Sequence, residues 1–468
     1  MLAAMPTAPG RPTPPAPARE RAGDGTAVPE GELPTRRDRD DACPGVLRTH
    51  EADDGHLARV RVPGGILTAA QAEALGEAAA RLGDGDLHLT SRGNVQLRGL
   101  GAACAGPLER LLAAAGLLPS PAHERVRNIV ASPLSGLDGG GHADVRPWLR
   151  ALDALLCGSP TASALSGRFL FALDDGRGDV AALGPDVTLR AAPDGTALLR
   201  LGRRAPLGLP AADAPRAALL AAEAFAKAAG TPPAAWRITE LPDGGAQLTD
   251  RLVERLAADL PVARLPEEPW SAGPAPRPGL IPDPADPAMS SLNVLAPLGR
   301  LTVGQWRALT AVAARTPAGP SGELRLTPWR GVVVPSVPAD RAPADLAALA
   351  TAGLVTDAAS PWTGVGACTG RPGCAKALAD VRADATAATS ATRPGTRPGT
   401  SGGLLPVYWS GCERACGRPR GDRVDVVATP DGYRVDRVVG GIPAAQPSSA
   451  PSDLAATVAA ARRGAVSR

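Results

Sequence analysis

The chain repeats itself, and that repeat constrains its fold more than any other feature. Residues 60–100 open V-R-V-P-G-G-I-L-T-A-A-Q and run on to L-H-L-T-S-R-G-N-V-Q-L. Residues 294–334 open V-L-A-P-L-G-R-L-T-V-G-Q and run on to L-R-L-T-P-W-R-G-V-V-V. Each copy predicts a strand, a Pro–Gly turn, an amphipathic helix, a Gly-rich turn and two further strands. Thr68 and Thr302 stand where a helix N-cap hydroxyl belongs. A weaker echo links 168–201 with 406–437, each with a strand, an excursion and a hairpin at Pro193–Gly195 or Pro430–Gly432. The fold class is therefore α+β, with a two-part unit used twice.

These repeats divide the chain. Residues 1–40, rich in Pro and Ala, read as disordered. The first small copy takes 41–118 and a larger α+β part takes 119–264. A Pro-rich stretch at 265–290 reads as an extended linker. The second small copy takes 291–357 and the last part 358–468. Within that part, 386–403 reads as a low-complexity surface loop.

Only the last part carries paired cysteines. Cys368 and Cys374 have five residues between them, and Cys412 and Cys416 have three. Four thiolates in two pairs meet the needs of a 4Fe–4S cluster. Zinc prefers closer pairs, and buried structural cysteines are the remaining reading. After Cys374 the stretch A-K-A-L-A-D-V-R-A-D-A predicts a helix starting at that cysteine, with its N-terminus toward an anionic cluster. Before Cys412, L-L-P-V-Y-W-S-G predicts a strand ending in a turn.

Composition excludes several classes. Apart from Lys227 and Lys376 all basic residues are arginine, and the net charge of +3 is too small to imply nucleic acid. No apolar run is long enough to span a bilayer, and the Pro-rich N-terminus lacks the apolar core of a signal peptide. Cysteines grouped as metal ligands suit a reducing compartment, so the expected location is cytoplasmic.

The duplicated unit, with C-x5-C and then C-x3-C in its last part, resembles the sirohaem sulfite and nitrite reductases. Within that superfamily, four segments resemble the precorrin-3B synthase family of aerobic cobalamin synthesis: A-C-P-G-V-L-R (42–48), R-V-P-G-G-I-L-T (61–68), S-G-R-F-L-F-A-L-D-D-G (166–176) and L-R-L-T-P-W-R-G (324–331). The resemblance implies a ferredoxin-like half domain followed by a nitrite/sulfite reductase-like domain, twice. It places Arg92 and Arg127 at positions where the reductases hold anion and macrocycle. Where the reductases carry a basic pair, this chain has Arg168 and Leu170. Losing one cation there argues against reduction of a small anion. Arg92, Arg127, Arg168 and, further along, Arg98 suit the carboxylates of precorrin-3A. Arg330 is displaced by one residue from the Arg92 position and is left out of the expected site.

The implied reaction is a monooxygenation: O2-dependent hydroxylation of precorrin-3A at C20 with closure of a γ-lactone. The implied partners are O2 and an electron donor, either an NADH-linked reductase or a ferredoxin. The implied cofactors are a 4Fe–4S cluster and a mononuclear non-haem iron, with sirohaem less favoured. The five histidines do not pair at helical metal spacing, so no ligand is assigned to the second iron. No catalytic residue is assigned, and Cys43, Cys104 and Cys157 read as structural. An assimilatory sulfite or nitrite reductase and a non-catalytic iron–sulfur sensor are the other two readings.

Overall fold

The computed structural model of the chain describes residues 41, 43–230, 233–267, 270–317, 322–391, 404–445 and 454–463. The stretch 1–40, expected to be disordered, lies outside the described residues.

The two small copies are interlocked. The first copy's strands His50–Ala52, Gly55–Val60, Val95–Leu100 and Asp86–Leu89 form a sheet whose fifth strand, Arg300–Thr302, comes from the second copy. In return the strand Ile66–Thr68 completes the second sheet, beside Glu323–Leu326, Gly331–Pro338, Met289–Leu295 and Gly279–Pro282. Both exchanged strands are antiparallel, with Leu301 opposite Leu87 and Leu324 opposite Leu67. Each exchange covers an edge that would otherwise expose unpaired backbone. Glycine is required where the exchanged chain turns: Gly65 has φ 73°, and a Cβ there would fall 2.0 Å from the Leu326 carbonyl oxygen. Immediately after each exchanged strand a helix begins, Ala69–Leu82 and Val303–Ala314, capped reciprocally by Thr68 with Gln71 and by Thr302 with Gln305. The helices pack together through Trp306, which is fully buried and donates its indole N–H to the Ala72 carbonyl at 2.6 Å. The two copies share one apolar core.

The two larger parts share a sheet pattern. In the first, the strands Ile129–Ala131, Phe171–Asp174 and Val187–Ala191 run parallel, followed by the antiparallel Thr196–Leu201, Leu207–Pro210 and Ala263–Arg264. In the second, Val365–Ala367, Val407–Ser410 and Arg423–Thr429 run parallel, followed by the antiparallel Gly432–Val439 and Ile442–Ala445. The hairpins at Pro193–Gly195 and Pro430–Gly432 connect corresponding strands. The first part covers its sheet with the helices Arg146–Gly158, Ala214–Ala229 and Ala246–Ala257, and the second uses Val381–Ser390 and Leu454–Arg463.

Three local expectations are corrected. The helix does not start at Cys374; it runs Val381–Ser390, capped by the Asp380 carboxylate on the Ala383 N–H. Backbone from 377 to 379 is drawn elsewhere, with the Leu378 N–H on Gly411 O (2.8 Å) and the Arg371 N–H on Ala379 O (3.0 Å). The expected linker at 265–290 contains the edge strand Gly279–Pro282, and Trp270 lies under Arg190 and Arg200, 5.4 and 4.8 Å from ring centroid to guanidinium. The expected surface loop at 386–403 begins inside a helix that reaches Ser390, and its residues 392–403 lie outside the described residues.

Candidate metal centre and anion surface

The first cysteine of each pair lies at the C-terminal end of one of two neighbouring parallel strands, where open α/β sheets bind ligands, and the second follows on the loop. Cys368 follows Val365–Ala367 directly, and Cys412 lies two residues beyond Val407–Ser410. The Cys368 N–H bonds Trp409 O (2.9 Å), and the Gly411 N–H donates to Cys368 Sγ (3.2 Å). The Ala415 N–H bonds Cys412 O (3.2 Å), which folds the C-x3-C loop back. Burial pushes the Cys368 thiol up; the Gly411 and Gly370 N–H groups oppose this, and charge on Cys416 and Cys374 adds to it. The Cys374 and Cys416 sulfurs are therefore within electrostatic range of Cys368, whose own sulfur is met by backbone N–H donors. Trp409 Nε1 and Ser410 Oγ, beside the loop, are buried without a partner among the described residues. Two cysteine loops leaving neighbouring strand ends, with a backbone N–H on the Cys368 sulfur, fit a thiolate-held iron–sulfur cluster.

Side chains from other parts of the chain brace each cysteine loop. Arg98 forks onto Asp54 (2.7 and 2.8 Å) and reaches Gly373 O at 2.6 Å. It therefore supports the Cys374 loop rather than a ring. Arg382 donates to Cys368 O at 3.2 Å. Tyr408 donates its hydroxyl to Cys416 O at 2.5 Å, and Arg330 donates to Gly417 O at 3.1 Å. Sequence reasoning set Arg330 aside, yet its turn matches that of the first copy without a gap. Thr90 bonds Asn94 O and Thr327 bonds Gly331 O, so Arg330 (φ 62°) stands at the left-handed place of Gly93 (φ 65°). A non-glycine residue there costs about 1–2 kcal/mol, a cost that marks the position. Gly299 makes room for it: a Cβ there would fall 2.4 Å from Arg330 Cδ.

In the first large part a serine stands at the position of Cys368. Ser132 follows Ile129–Ala131 as Cys368 follows its strand, with its N–H on Leu173 O at 3.0 Å. The Asp175 N–H donates to Ser132 Oγ at 3.2 Å, the bond that Gly411 makes to Cys368. Ser132 in turn donates to Asp179 at 2.6 Å. Oxygen stands where sulfur stands in the other copy.

Among the described residues, no group offers suitable ligands to a second iron. Asp84, Asp86 and His88 are, among the described residues, the one group of His, Cys, Asp or Glu whose donor atoms converge within 4.8 Å. However, Arg382 donates to His88 Nδ1 at 3.2 Å, and a guanidinium cannot accept. The neutral ring then carries its proton on Nε2, toward Asp84 3.7 Å away, so that nitrogen offers no lone pair. Asp86 is already held by Arg300 at 2.5 Å. The group does not fit a metal.

The expected arginines separate. Arg127 is buried and forked onto Asp153, both bonds 2.7 Å, with Leu117 O as a third acceptor. Its donors are spent inside the fold. Arg92 and Arg168 do meet: Arg92 donates to Arg168 O at 3.3 Å, and the Arg168 guanidinium lies over Trp236, 4.6 Å from its centroid. Around Arg92 the charge is mostly positive. Burial, then the charges of Arg237 and Arg59, push it down to about 10. Burial, with Arg59 and Arg92 adding to it, pushes Arg61 down to about 9. Among the described residues, Arg61 bonds only neutral oxygens, those of Arg125, Asn128 and Gly167. Sequence reasoning missed Arg59 and Arg237 because scattered arginines carry no periodic signal.

Comparison with known proteins decides the architecture. The profile of the nitrite/sulfite reductase ferredoxin-like half domain matches at residues 49–115 and 284–352. The chain carries two such half domains. The half domains exchange their short strands and share one core, as described above. Over 416 residues the chain is 28% identical to a precorrin-3B synthase from Sinorhizobium sp, covering 86% of this chain and 84% of that one. It is 34% identical over 123 residues to a ferredoxin–nitrite reductase from Leptolyngbya laminosa, a quarter of either chain (25% and 24%). The structure of the Mycobacterium tuberculosis NirA protein superposes with a TM-score of 0.65 at 18% identity, covering 86% of this chain and 79% of that one, which shows the shared fold.

Proposed function

We propose that the chain is a precorrin-3B synthase, an oxidoreductase that hydroxylates precorrin-3A at C20 with O2 and closes a γ-lactone, in the cytoplasm. The observation that carries this reading is the pairing of the cysteine quartet with an arginine surface that lacks lysine. Leu170, at the place of a reductase cation, is 2% exposed and packs against Val130, Ala172 and Val180. It can neither charge a small anion nor give it a proton. Likeness to a precorrin-3B synthase over most of both chains supports the same reading.

Cys368, Cys374, Cys412 and Cys416 would hold a 4Fe–4S cluster, which supplies single electrons when bound. Arg98, Arg330, Arg382 and Tyr408 hold the loops that present those thiols. Arg92 and Arg168 would orient the ring through its carboxylates, and an electron donor would reach the C-x3-C loop, where Cys416 is exposed. Arg127 drops out of the substrate site.

Incubating reduced protein with precorrin-3A under labelled O2 tests the proposal. Labelled precorrin-3B is the expected product, and sulfite should yield no sulfide. An unlabelled product, or sulfide at reductase rates together with a bound sirohaem spectrum, returns the chain to the sirohaem-dependent sulfite and nitrite reductases.

A further inference from the structure

The repeat puts two unlike residues at one place, each beside the loop that follows a parallel strand end. In the segments L-H-L-T (87–90) and L-R-L-T (324–327), His88 corresponds to Arg325. Each lies opposite the first residue of an exchanged strand, Arg300 and Ile66 respectively. Arg325 is buried and donates to Pro133 O at 2.9 Å and Ser135 O at 2.8 Å, immediately after Ser132. There, a cation on the half-domain strand sits directly on the loop that carries serine. Beside the cysteines the same task is divided between two residues. Arg382, on the helix Val381–Ser390, donates through Nε to Cys368 O and through Nη2 to Nδ1 of the buried His88, both at 3.2 Å. The helix supplies the cation and the strand supplies its acceptor.

A guanidinium only donates, so the second bond requires His88 to be unprotonated at Nδ1. Burial pushes the His88 pKa below its usual 6.5; the charges of Arg382 and Arg98 add to this, and Asp84 opposes it. Burial, then Arg300 and Arg98, push Arg382 down, and charge on Cys368 and Tyr408 opposes them. Arg382 is thus coupled to the charge on the Cys368 sulfur as well as bonded to its carbonyl. A half-buried cation held beside a cluster ligand favours the reduced, more negative state of that cluster. We propose that His88 is a positioning residue that holds Arg382 against the Cys368 loop, and that the pair raises the reduction potential of the cluster the cysteines would hold. This deepens the cluster reading above and rests on it. One electron enters from an external reductant, no bond forms or breaks, and His88 keeps its one ring proton on Nε2.

Redox titration of the full chain with its iron, followed by optical and electron paramagnetic resonance spectra, tests the pair. Arg382→Gln should make the cluster harder to reduce, by about ten-fold in the reduction equilibrium (59 mV for one electron). His88→Leu removes the acceptor and should shift the potential the same way. His88→Asn, whose amide oxygen can take the place of Nδ1, should restore most of it. The two losses should not add in a double-mutant cycle, because both act through one guanidinium. Circular dichroism and iron content identify a variant that fails to fold, and His88→Asn against His88→Leu then carries the test. A wild-type potential in iron-replete Arg382→Gln overturns the proposal, as do additive shifts or His88→Asn behaving like His88→Leu. Loss of iron from both Arg382→Gln and His88→Leu, with no shift in the clusters that remain, also overturns it, since the pair then only braces the loop. Wild-type protein without iron would sink the cluster reading and the proposal together, whereas iron-replete variants at the wild-type potential sink the proposal alone.

Discussion

Asp179 sits in an environment far from that of a carboxylate in solution. It is 1% exposed, and burial, with Asp174 and Asp175 nearby, raises it from 3.8 to about 7. A raised carboxyl pKa favours the protonated folded state, so stability is full below about pH 4 and is lost as pH rises toward 7. Asp179→Asn should therefore raise the melting temperature at pH 8, by an amount worth roughly 2–4 kcal/mol. The gap from wild type should close at pH 4; a constant gap across that window would falsify the assignment. At Arg330 two effects oppose one another. Arg330→Gly should relieve about 1–2 kcal/mol of left-handed strain while removing the donor to Gly417 O. Its expected signature is faster loss of iron to a chelator with little change in melting temperature. Each single Cys→Ser change at Cys368, Cys374, Cys412 or Cys416 should lower iron and sulfide content. Retention of full iron by Cys374→Ser, with loss in Cys43→Ser, would show that the ligand set is wrong.

At the scale of elements, the exchanged strands make the two half domains one cooperative unit. Leu301 is fully buried in the first copy's sheet although it belongs to the second copy. Leu301→Ala should cost about 2–5 kcal/mol. Hydrogen exchange should quicken at Asp86–Leu89, in the other copy, as much as in the mutated one. Protection lost only around Arg300–Thr302 would mean that the copies are stabilised separately. Thr302→Ala, which removes one capping box, should cost about 1 kcal/mol and leave the sheets paired.

The whole molecule uses one architecture in two chemical states. The sheet that ends in Ser132 is completed by oxygen hydrogen bonds, whereas the sheet that ends in Cys368 is completed by thiols with few partners. Removing iron with a chelator should therefore loosen the second sheet selectively, because ligand binding to the folded form is stabilisation. Exchange should rise across Val407–Ser410 and Arg423–Thr429 and stay constant across Phe171–Asp174 and Val187–Ala191. Equal loosening of both sheets would place the cluster's influence elsewhere.

Local chemistry made much of this legible in the sequence. Thr68 and Thr302 are followed three residues later by Gln71 and Gln305, and a capping box is a contact between near neighbours. The P-D-G hairpins are equally local, and the paired cysteines stand out because metal ligands must be spaced to reach one centre. The helix misplaced at Cys374 shows the limit. Propensity over an Ala-rich stretch could not foresee that Gly411 O, from a distant strand, would take the Leu378 N–H. The exchange of Ile66–Thr68 and Arg300–Thr302 was hidden for the same reason, since three-residue strands carry no period and acquire partners only across hundreds of residues. The arginines divide on this line too. Arg92 and Arg127 look alike in sequence, but only tertiary packing set Asp153 against Arg127 and left Arg92 among like charges. Short-range bonding and repetition are written along the chain, whereas the partner of a charge is decided by what folding brings beside it.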